Sequence, residues 1–384
     1  MKIGIVTTYF YPFPGGVEVN ILNLAKELSK NHEIHIFSSD RKNNKIIEKK
    51  EEKLGNIFIH RSKTLFRFKY YVAFYPSLLT NLLKYDLDII HVNSLGFLWH
   101  DFCILIKKLF SRKTRFVITP HGPFMTLKSY PLWQKFLRSI VNNLIILTNK
   151  VYNAVIEVNT FQDSWLRKDY GFNKNKIFYV PNGIKKEIFK KLNTNKVIKK
   201  YNLEDRFILS YIGRLHEYKG VQNIIEVLPE IINRNKKILF IAIGEDAGYY
   251  KILLEKTKKL KLEKNILFLT NCNDEDRDSI LQLSEIYIMP SEWEAFGITI
   301  LEAMAKGNAI ISTNTEGGKF LISKNNGLLY NFNNTKKLKD HISYLIKNKN
   351  IREKMQKTNI EKAKQFTWDK ISKKLNRIYN ELDN

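Results

Sequence analysis

The sequence predicts an α/β protein built from two doubly wound, Rossmann-like domains facing across a cleft. Three observations carry that reading. Short apolar runs alternate with segments of helical periodicity along the whole chain, the pattern of parallel sheets covered by helices. The alternation restarts after a basic, Asn-rich stretch near the middle. The length of 384 residues exceeds what one core organises and suits two domains of roughly 180 residues each.

The chain opens with Lys2–Thr8, an apolar run of the kind buried in a parallel sheet. A Pro/Gly loop, Tyr11 to Gly16, precedes a helix in which Val17, Ile21, Leu24, Ala25 and Leu28 recur at spacings of three and four. Glu33–Ser38, Asp88–Val92, Arg115–Thr119, Ala154–Val158 and Lys176–Val180 are the next strands. Pro181-Asn182-Gly183 signals a turn, and Lys185–Lys200 reads as the linker. This divides the chain into an N-terminal domain, 1–187, joined by a C-terminal helix, 367–384, and a C-terminal domain, 188–366. In the second domain Phe207–Ile212, Ile238–Ile243, Ile266–Leu269, Ile286–Met289 and Ala309–Ser312 read as strands. Glu217–Asn233, Gly248–Leu260, Asp274–Leu283 and Phe296–Lys306 read as helices, and Lys336–Asp383 keeps a helical pattern to the end.

Composition narrows the class. With 44% hydrophobic and 27% charged residues the chain is globular, not disordered. Cys103 and Cys272 stand far apart without CxxC spacing, which argues against a disulfide framework or zinc cluster and for a reducing, cytoplasmic compartment. No apolar run reaches the roughly 18 residues a spanning helix needs. Met1–Phe10 lacks the basic head and long apolar stretch of a signal peptide and reads as a strand. The net charge of +26 is uneven: residues 1–203 carry 34 Lys and Arg against 14 Asp and Glu (+20), and the rest carries 30 against 24 (+6). Such a field attracts polyanions or an anionic membrane surface. A lysine-rich composition spread over every surface accounts for the total, but less well for the asymmetry.

Four segments carry chemistry. Gly15-Gly16 follows the first strand and opens a helix, where backbone amides offer an anion site, although an ordinary tight turn has the same sequence. Gly213-Arg214-Leu215-His216-Glu217-Tyr218-Lys219-Gly220 places two cations at the C-terminal end of a strand, where ligands of open sheets bind. Arg214 suits bidentate phosphate binding, and Lys219 supplies a point charge. In Ser291-Glu292-Trp293-Glu294-Ala295-Phe296-Gly297-Ile298, Glu294 precedes a helix that carries Glu302. Carboxylates accept hydrogen bonds from sugar hydroxyls, and the amides of Phe296, Gly297 and Ile298 suit a phosphate. Thr119-Pro120-His121-Gly122 puts a histidine at a strand end, where it is either structural or a hydrogen-bond donor to a sugar or phosphate.

Together these segments resemble glycosyltransferase family four, the retaining group 1 enzymes of GT-B fold, over nearly the whole chain. The pieces are PGGVEVNILNLAKEL, TPHG, VPNGI, YIGRLHEYKGV, AIGED, SEWEAFGITILEAMAKG and the EGG of Glu316–Gly318. The resemblance implies a hexosyl unit moved from a nucleotide diphosphate sugar to a hydroxyl acceptor, with no metal and no resident cofactor. It implies that Arg214 and Lys219 neutralise the departing diphosphate and that Glu294 holds sugar hydroxyls. It further implies that Glu302 binds the ribose, and that Gly213, Gly244 and Glu245 border the nucleotide. Gly15 and Gly16 would close over the diphosphate, with His121 near the reacting sugar. Retention would follow from front-face attack, the diphosphate assisting deprotonation. Three positions depart from the family pattern: Leu321 where a glutamate often follows GG, Asn308 where AxGxP has proline, and Asn31 where glycine is usual.

The family's acceptors bind mainly the N-terminal domain, and here that half holds the charge excess. Tyr130–Lys150 aligns Trp133, Phe136, Leu137, Ile140, Val141, Leu144 and Leu147 on one face, with Lys135 and Arg138 beside it. Lys63–Tyr75 interleaves Lys63, Arg67 and Lys69 with Phe66, Phe68, Tyr70, Tyr71 and Phe74. Both suit a membrane interface, and a helix packed on its own sheet is the alternative for the first. The expected partners are thus a nucleotide sugar, a lipid-linked or other membrane-borne glycan and an anionic membrane, with no nucleic acid. The enzyme would sit at the cytoplasmic membrane face. The rival readings are an epimerase or a silent sugar-nucleotide-binding subunit of the same fold.

Overall fold

The computed structural model describes residues 1–13, 15–42, 45–68, 72–123 and 132–383. The chain forms two compact units, Met1–Gly183 with Trp368–Asn384 and Ile184–Thr367.

The first unit is organised by an eight-stranded sheet. Its spatial order is Ile177–Tyr179, Ala154–Glu157, Arg115–Thr119, Ile89–Asn93, Lys2–Val6, Glu33–Ser39, Ile57–Ser62 and Glu51–Leu54. Every neighbouring pair is parallel except the last. Lys2–Val6 lies between Glu33–Ser39 and Ile89–Asn93, so the order reverses beside it and opens a crevice at the strands' C-terminal ends. The strand pair Glu51–Leu54 and Ile57–Ser62 is missing from the sequence reading. Glu51, Glu52 and Lys53 mask its alternation, and such charges suit an exposed edge that must not pair further.

Helices cover both faces of this sheet. One core packs Phe37, Ile90 and Phe116 against Leu78, Cys103 and Ile104. The other packs Ile5, Ile36 and Val117 against Ile21 and Ala25 and against Ile371, Leu375 and Tyr379 of the terminal helix Trp368–Asp383. Trp368 lies so close to Gly183 that a Cβ there would come within 2.7 Å of the indole. Tyr379 Oη meets His91 Nδ1 at 2.5 Å, and Arg115 donates to the carbonyl of Leu382 at 2.8 Å.

The second unit holds six parallel strands in the order Ile266–Leu269, Ile238–Ile243, Phe207–Ile212, Ile286–Met289, Ala309–Thr313 and Gly327–Tyr330. The last was not expected, being four residues long and opened by glycine. Three helices start later than periodicity suggests, that expected from Gly248 beginning at Tyr250. Gly220, at φ 72°, ends a 3-10 turn Glu217–Lys219 before helix Val221–Arg234 begins. Gly297, at φ 84°, delays the next to Ile298–Ala305. Both glycines take the left-handed conformation that L side chains resist. The stretch read as a linker contains a short helix, Asn195–Tyr201.

His91 and His100 are each 2% exposed, and burial holds each ring down to a pKa of about 3. Below the unfolded value of about 6.5 the unfolded chain therefore takes up protons that the folded chain refuses. Stability is complete above that pH and falls as pH drops toward about 3, by up to ~1.4 kcal/mol per pH unit per ring. Urea unfolding between pH 7 and 4 should show this slope, and His91→Gln should flatten it. An unchanged slope in that variant would mean that His91 is not held neutral.

Candidate active site

The second sheet reverses order between Phe207–Ile212 and Ile286–Met289, which are adjacent and parallel. The two motif loops leave the C-terminal ends of those strands, so topology delivers them to one place. They are bonded there: Glu292 N donates to Tyr218 O at 2.8 Å. A Cβ on Gly220 would stand 2.1 Å from the carbonyl oxygen of Pro290, an approach open only to glycine. Thr313 Oγ1 donates to Ser291 O at 2.6 Å and anchors the loop to the next strand.

This packing joins Lys219 to Glu294 in an ion pair, with side chains 13% and 15% exposed. Burial lowers the Lys219 pKa, but the Glu294 carboxylate and Tyr218 outweigh it, and the ammonium is held above its usual value. Ser291 Oγ lies 3.4 Å from the same Glu294 oxygen. Arg214 is exposed and donates to Tyr218 Oη at 2.8 Å. One tyrosine thus borders both cations, with Lys219 Nζ 5.2 Å from its ring centre. Charge attraction of this kind orients a cation without consuming its capacity for phosphate.

A second loop closes against the first. Gly213 N donates to Ile243 O at 2.9 Å, Leu215 N to Glu245 O at 2.8 Å and Ala247 N to Leu215 O at 3.1 Å. Gly244 is so close that a Cβ would sit 1.9 Å from Gly213 O. Glu245 is exposed. Asp246, not singled out in the sequence, accepts from the amides of Gly248, Tyr249 and Tyr250 and fixes the turn that leads into helix Tyr250–Lys259. Those amides hold its carboxyl below the ordinary value.

Helix Ile298–Ala305 begins directly after Gly297, and Leu301 N is the first amide to bond within it, so the amides of Gly297, Ile298, Thr299 and Ile300 have no partner inside the helix. Of the three amides expected for phosphate, those of Gly297 and Ile298 belong to that end, and Phe296 directly precedes it. Tyr287 Oη donates to Thr299 Oγ1 at 2.8 Å and fixes the turn on its strand. Gly317 N donates to Glu294 O at 2.9 Å, and its Cα approaches the Phe296 backbone where no side chain fits. The EGG segment therefore shapes the loop that carries Glu294, a role its spacing did not announce. Burial raises the Glu302 pKa, opposed by nearby Arg277. Arg277 is in turn bound by Asp274 at 2.9 Å and Asp278 at 2.8 Å. Leu321 and Asn308 are fully buried, Asn308 Nδ2 donating to Leu281 O at 2.7 Å, so both departures lie in packing.

The remaining candidates belong to the first unit. Gly15, extended, caps helix Gly16–Leu28. The buried Glu18 carboxylate occupies the space a Gly15 Cβ would take, so an acidic group already stands at this helix start. His121 has φ 59° and sits at the crevice end of its strand, its Nε2 3.0 Å from Asn93 Oδ1. Burial holds it neutral, at a pKa of about 4. With Nε2–H donating to Asn93, the other ring nitrogen accepts, whereas the sequence suggested a donor.

Two family models match the chain. "Glycosyltransferase Family 4" covers residues 14–187 and "Glycosyl transferases group 1" covers residues 193–362. An uncharacterised glycosyltransferase of Methanocaldococcus jannaschii is 27% identical over 100% of this chain and 99% of its own. The N-acetyl-alpha-D-glucosaminyl L-malate synthase of Bacillus anthracis is 26% identical over 100% of this chain and 97% of its own. Among solved structures, Anabaena HepE in complex with UDP and glucose superposes with a TM-score of 0.80 at 16% identity, covering 99% of this chain and 100% of that one. The fold is that of the GT-B glycosyltransferases. The chain belongs to the family 4, group 1 glycosyltransferases.

Gly220→Ala tests the joint between the two motif loops. It forces a left-handed alanine against the Pro290 carbonyl and should destabilise the second unit by about 1–3 kcal/mol. Chemical denaturation is the measurement, and wild-type stability would contradict this contact.

Proposed function

We propose that this glycosyltransferase moves a hexosyl unit from a nucleotide diphosphate sugar to a hydroxyl acceptor, with retention and with neither metal nor resident cofactor. The observation that carries the proposal is the Lys219–Glu294 pair at the switch point, with Arg214 joined to it through Tyr218. Without a donor each charge neutralises the other. When a donor enters, Lys219 and Arg214 turn to the diphosphate, and Glu294 accepts from the sugar hydroxyls. The Ile298 amide and the dipole of its helix add to the anion's stabilisation, in our reading together with the backbone at Phe296 and Gly297. Two side-chain cations and a helix dipole supply the charge stabilisation that a metal would otherwise provide.

In the proposed step the bond from the anomeric carbon to the diphosphate oxygen breaks. The acceptor oxygen bonds to that carbon on the same face, and its proton passes to the departing diphosphate. Glu302 is proposed to bind the ribose, with Gly213, Gly244 and Glu245 bordering the nucleotide. His121 is proposed as an acceptor for a sugar hydroxyl, and Gly15-Gly16 as the turn serving the diphosphate. HepE, of like fold, holds UDP and glucose, which supports a nucleotide diphosphate as leaving group. The +20 charge of residues 1–203 supports an acceptor at an anionic membrane, a lipid-linked or similar glycan, with the enzyme peripheral at the cytoplasmic face.

Release of nucleotide diphosphate from a panel of UDP- and GDP-sugars, with and without membrane extract, tests the reading. Glu294→Ala should lower turnover by about two orders of magnitude with the fold intact, as loss of a transition-state contact does. Full turnover in that variant would reject the assignment.

A further inference from the structure

Two helices of the first unit break the rule that a surface helix turns its polar side to water. In Leu98–Phe110, Cys103 and Ile104 enter the core. Yet Leu98, Phe102, Leu105 and Leu109, spaced four, three and four, form a second apolar stripe, with Leu109 75% exposed. In Leu132–Thr148 the sequence grouped Val141 with its neighbours on a single face. The structure separates them: Val141 and Ile145 are buried, whereas Phe136, Ile140, Leu144 and Leu147 are exposed, Leu147 at 73%. Tyr130 lies outside the described residues, as do the side chains of Lys135 and Leu137.

The two helices are in contact. Beside them the ribbon Phe66–Phe68 and Val72–Phe74 exposes Leu65, Phe66 and Phe74; Lys69, Tyr70 and Tyr71, also expected there, lie outside the described residues. Phe74 meets Trp99 edge-on at 4.6 Å, and Trp99 stacks on Phe102 at 5.5 Å. Exposed apolar side chains gathered on neighbouring elements in this way mark an interaction site.

Charge selects its occupant. Between residues 98 and 150 there are nine Lys and Arg and one acidic residue, Asp101. Asp101 is 7% exposed and accepts from Tyr152 Oη at 3.1 Å, so it offers the surface no negative charge. A second copy docked through this face would bring two cationic rims together, which is repulsive. A bilayer offers apolar depth beneath an anionic layer and answers both features.

We propose that the outward stripes of helices Leu98–Phe110 and Leu132–Thr148, with the exposed Leu65, Phe66 and Phe74, form one surface that docks on an anionic lipid bilayer. The proposal deepens the membrane-borne acceptor reading and rests on it. It adds the first helix, which the sequence did not suggest, and places the contact in exposed side chains whose replacement leaves the core untouched.

The test uses the full chain and vesicles of phosphatidylcholine with or without phosphatidylglycerol. Sedimentation at low salt should show binding to the anionic vesicles that weakens as salt rises. Leu105→Glu with Leu109→Glu, and separately Phe136→Glu with Leu144→Glu, should each reduce binding about tenfold or more while retaining nucleotide diphosphate release and the wild-type melting temperature. Leu109→Ser serves as a milder variant if either pair melts early. Absence of binding, or equal binding by all variants, overturns the proposal. So does a lipid-free dimer that Leu109→Glu dissociates, which assigns the face to a second copy. Release of nucleotide without vesicle binding sinks this inference alone, whereas binding with Glu294→Ala still fully active sinks the catalytic reading alone.

Discussion

The second unit's site depends on the close approach of the Lys219 turn to the Glu294 loop. Gly220 meets the Pro290 carbonyl where no side chain fits, and Tyr218 O receives the Glu292 amide. Those contacts place an ammonium and a carboxylate together at largely buried positions. Unpaired, either would carry an uncompensated desolvation cost. Paired, they wait in a neutral state that an anionic ligand can divide between its phosphates and its hydroxyls.

Around that pair the backbone does most of the shaping. Gly244 lets two strand-end loops touch, since a Cβ there would strike Gly213 O, and Gly317 lets the EGG segment press on the Phe296 backbone. Gly297 ends the loop in a left-handed residue and starts the helix just beyond it. At Gly244 and Gly317 a Cβ would strike backbone, and at Gly297 the left-handed φ disfavours any L side chain. The glycines therefore act by geometry, and the charged side chains act by chemistry.

The first unit follows a different electrostatic rule. Burial holds His91 and His100 neutral, and the Glu18 carboxylate already stands at the Gly15 helix start. Its outward surface combines cations with exposed leucines and aromatics. A soluble partner-free surface would gain nothing from those apolar stripes, whereas burial of apolar area at a lipid interface is favourable.

The sequence by itself determined the parallel-sheet class, most strands of the two main sheets and the identity of the charged motif residues. Period-two and buried apolar runs set the strands, and phosphate chemistry needs cations and amides at strand ends. Local signals could not find Glu51–Leu54, masked by charge, or Gly327–Tyr330, too short to show a period. Nor could they show that Lys219 pairs with Glu294, 75 residues away, since that follows from which strands are neighbours. Tertiary structure also decided that Val141 turns inward while Ile140 turns outward, and that helix Leu98–Phe110 has two apolar faces. Periodicity counts how many apolar residues share a side of a helix. Only packing determines which side the core covers.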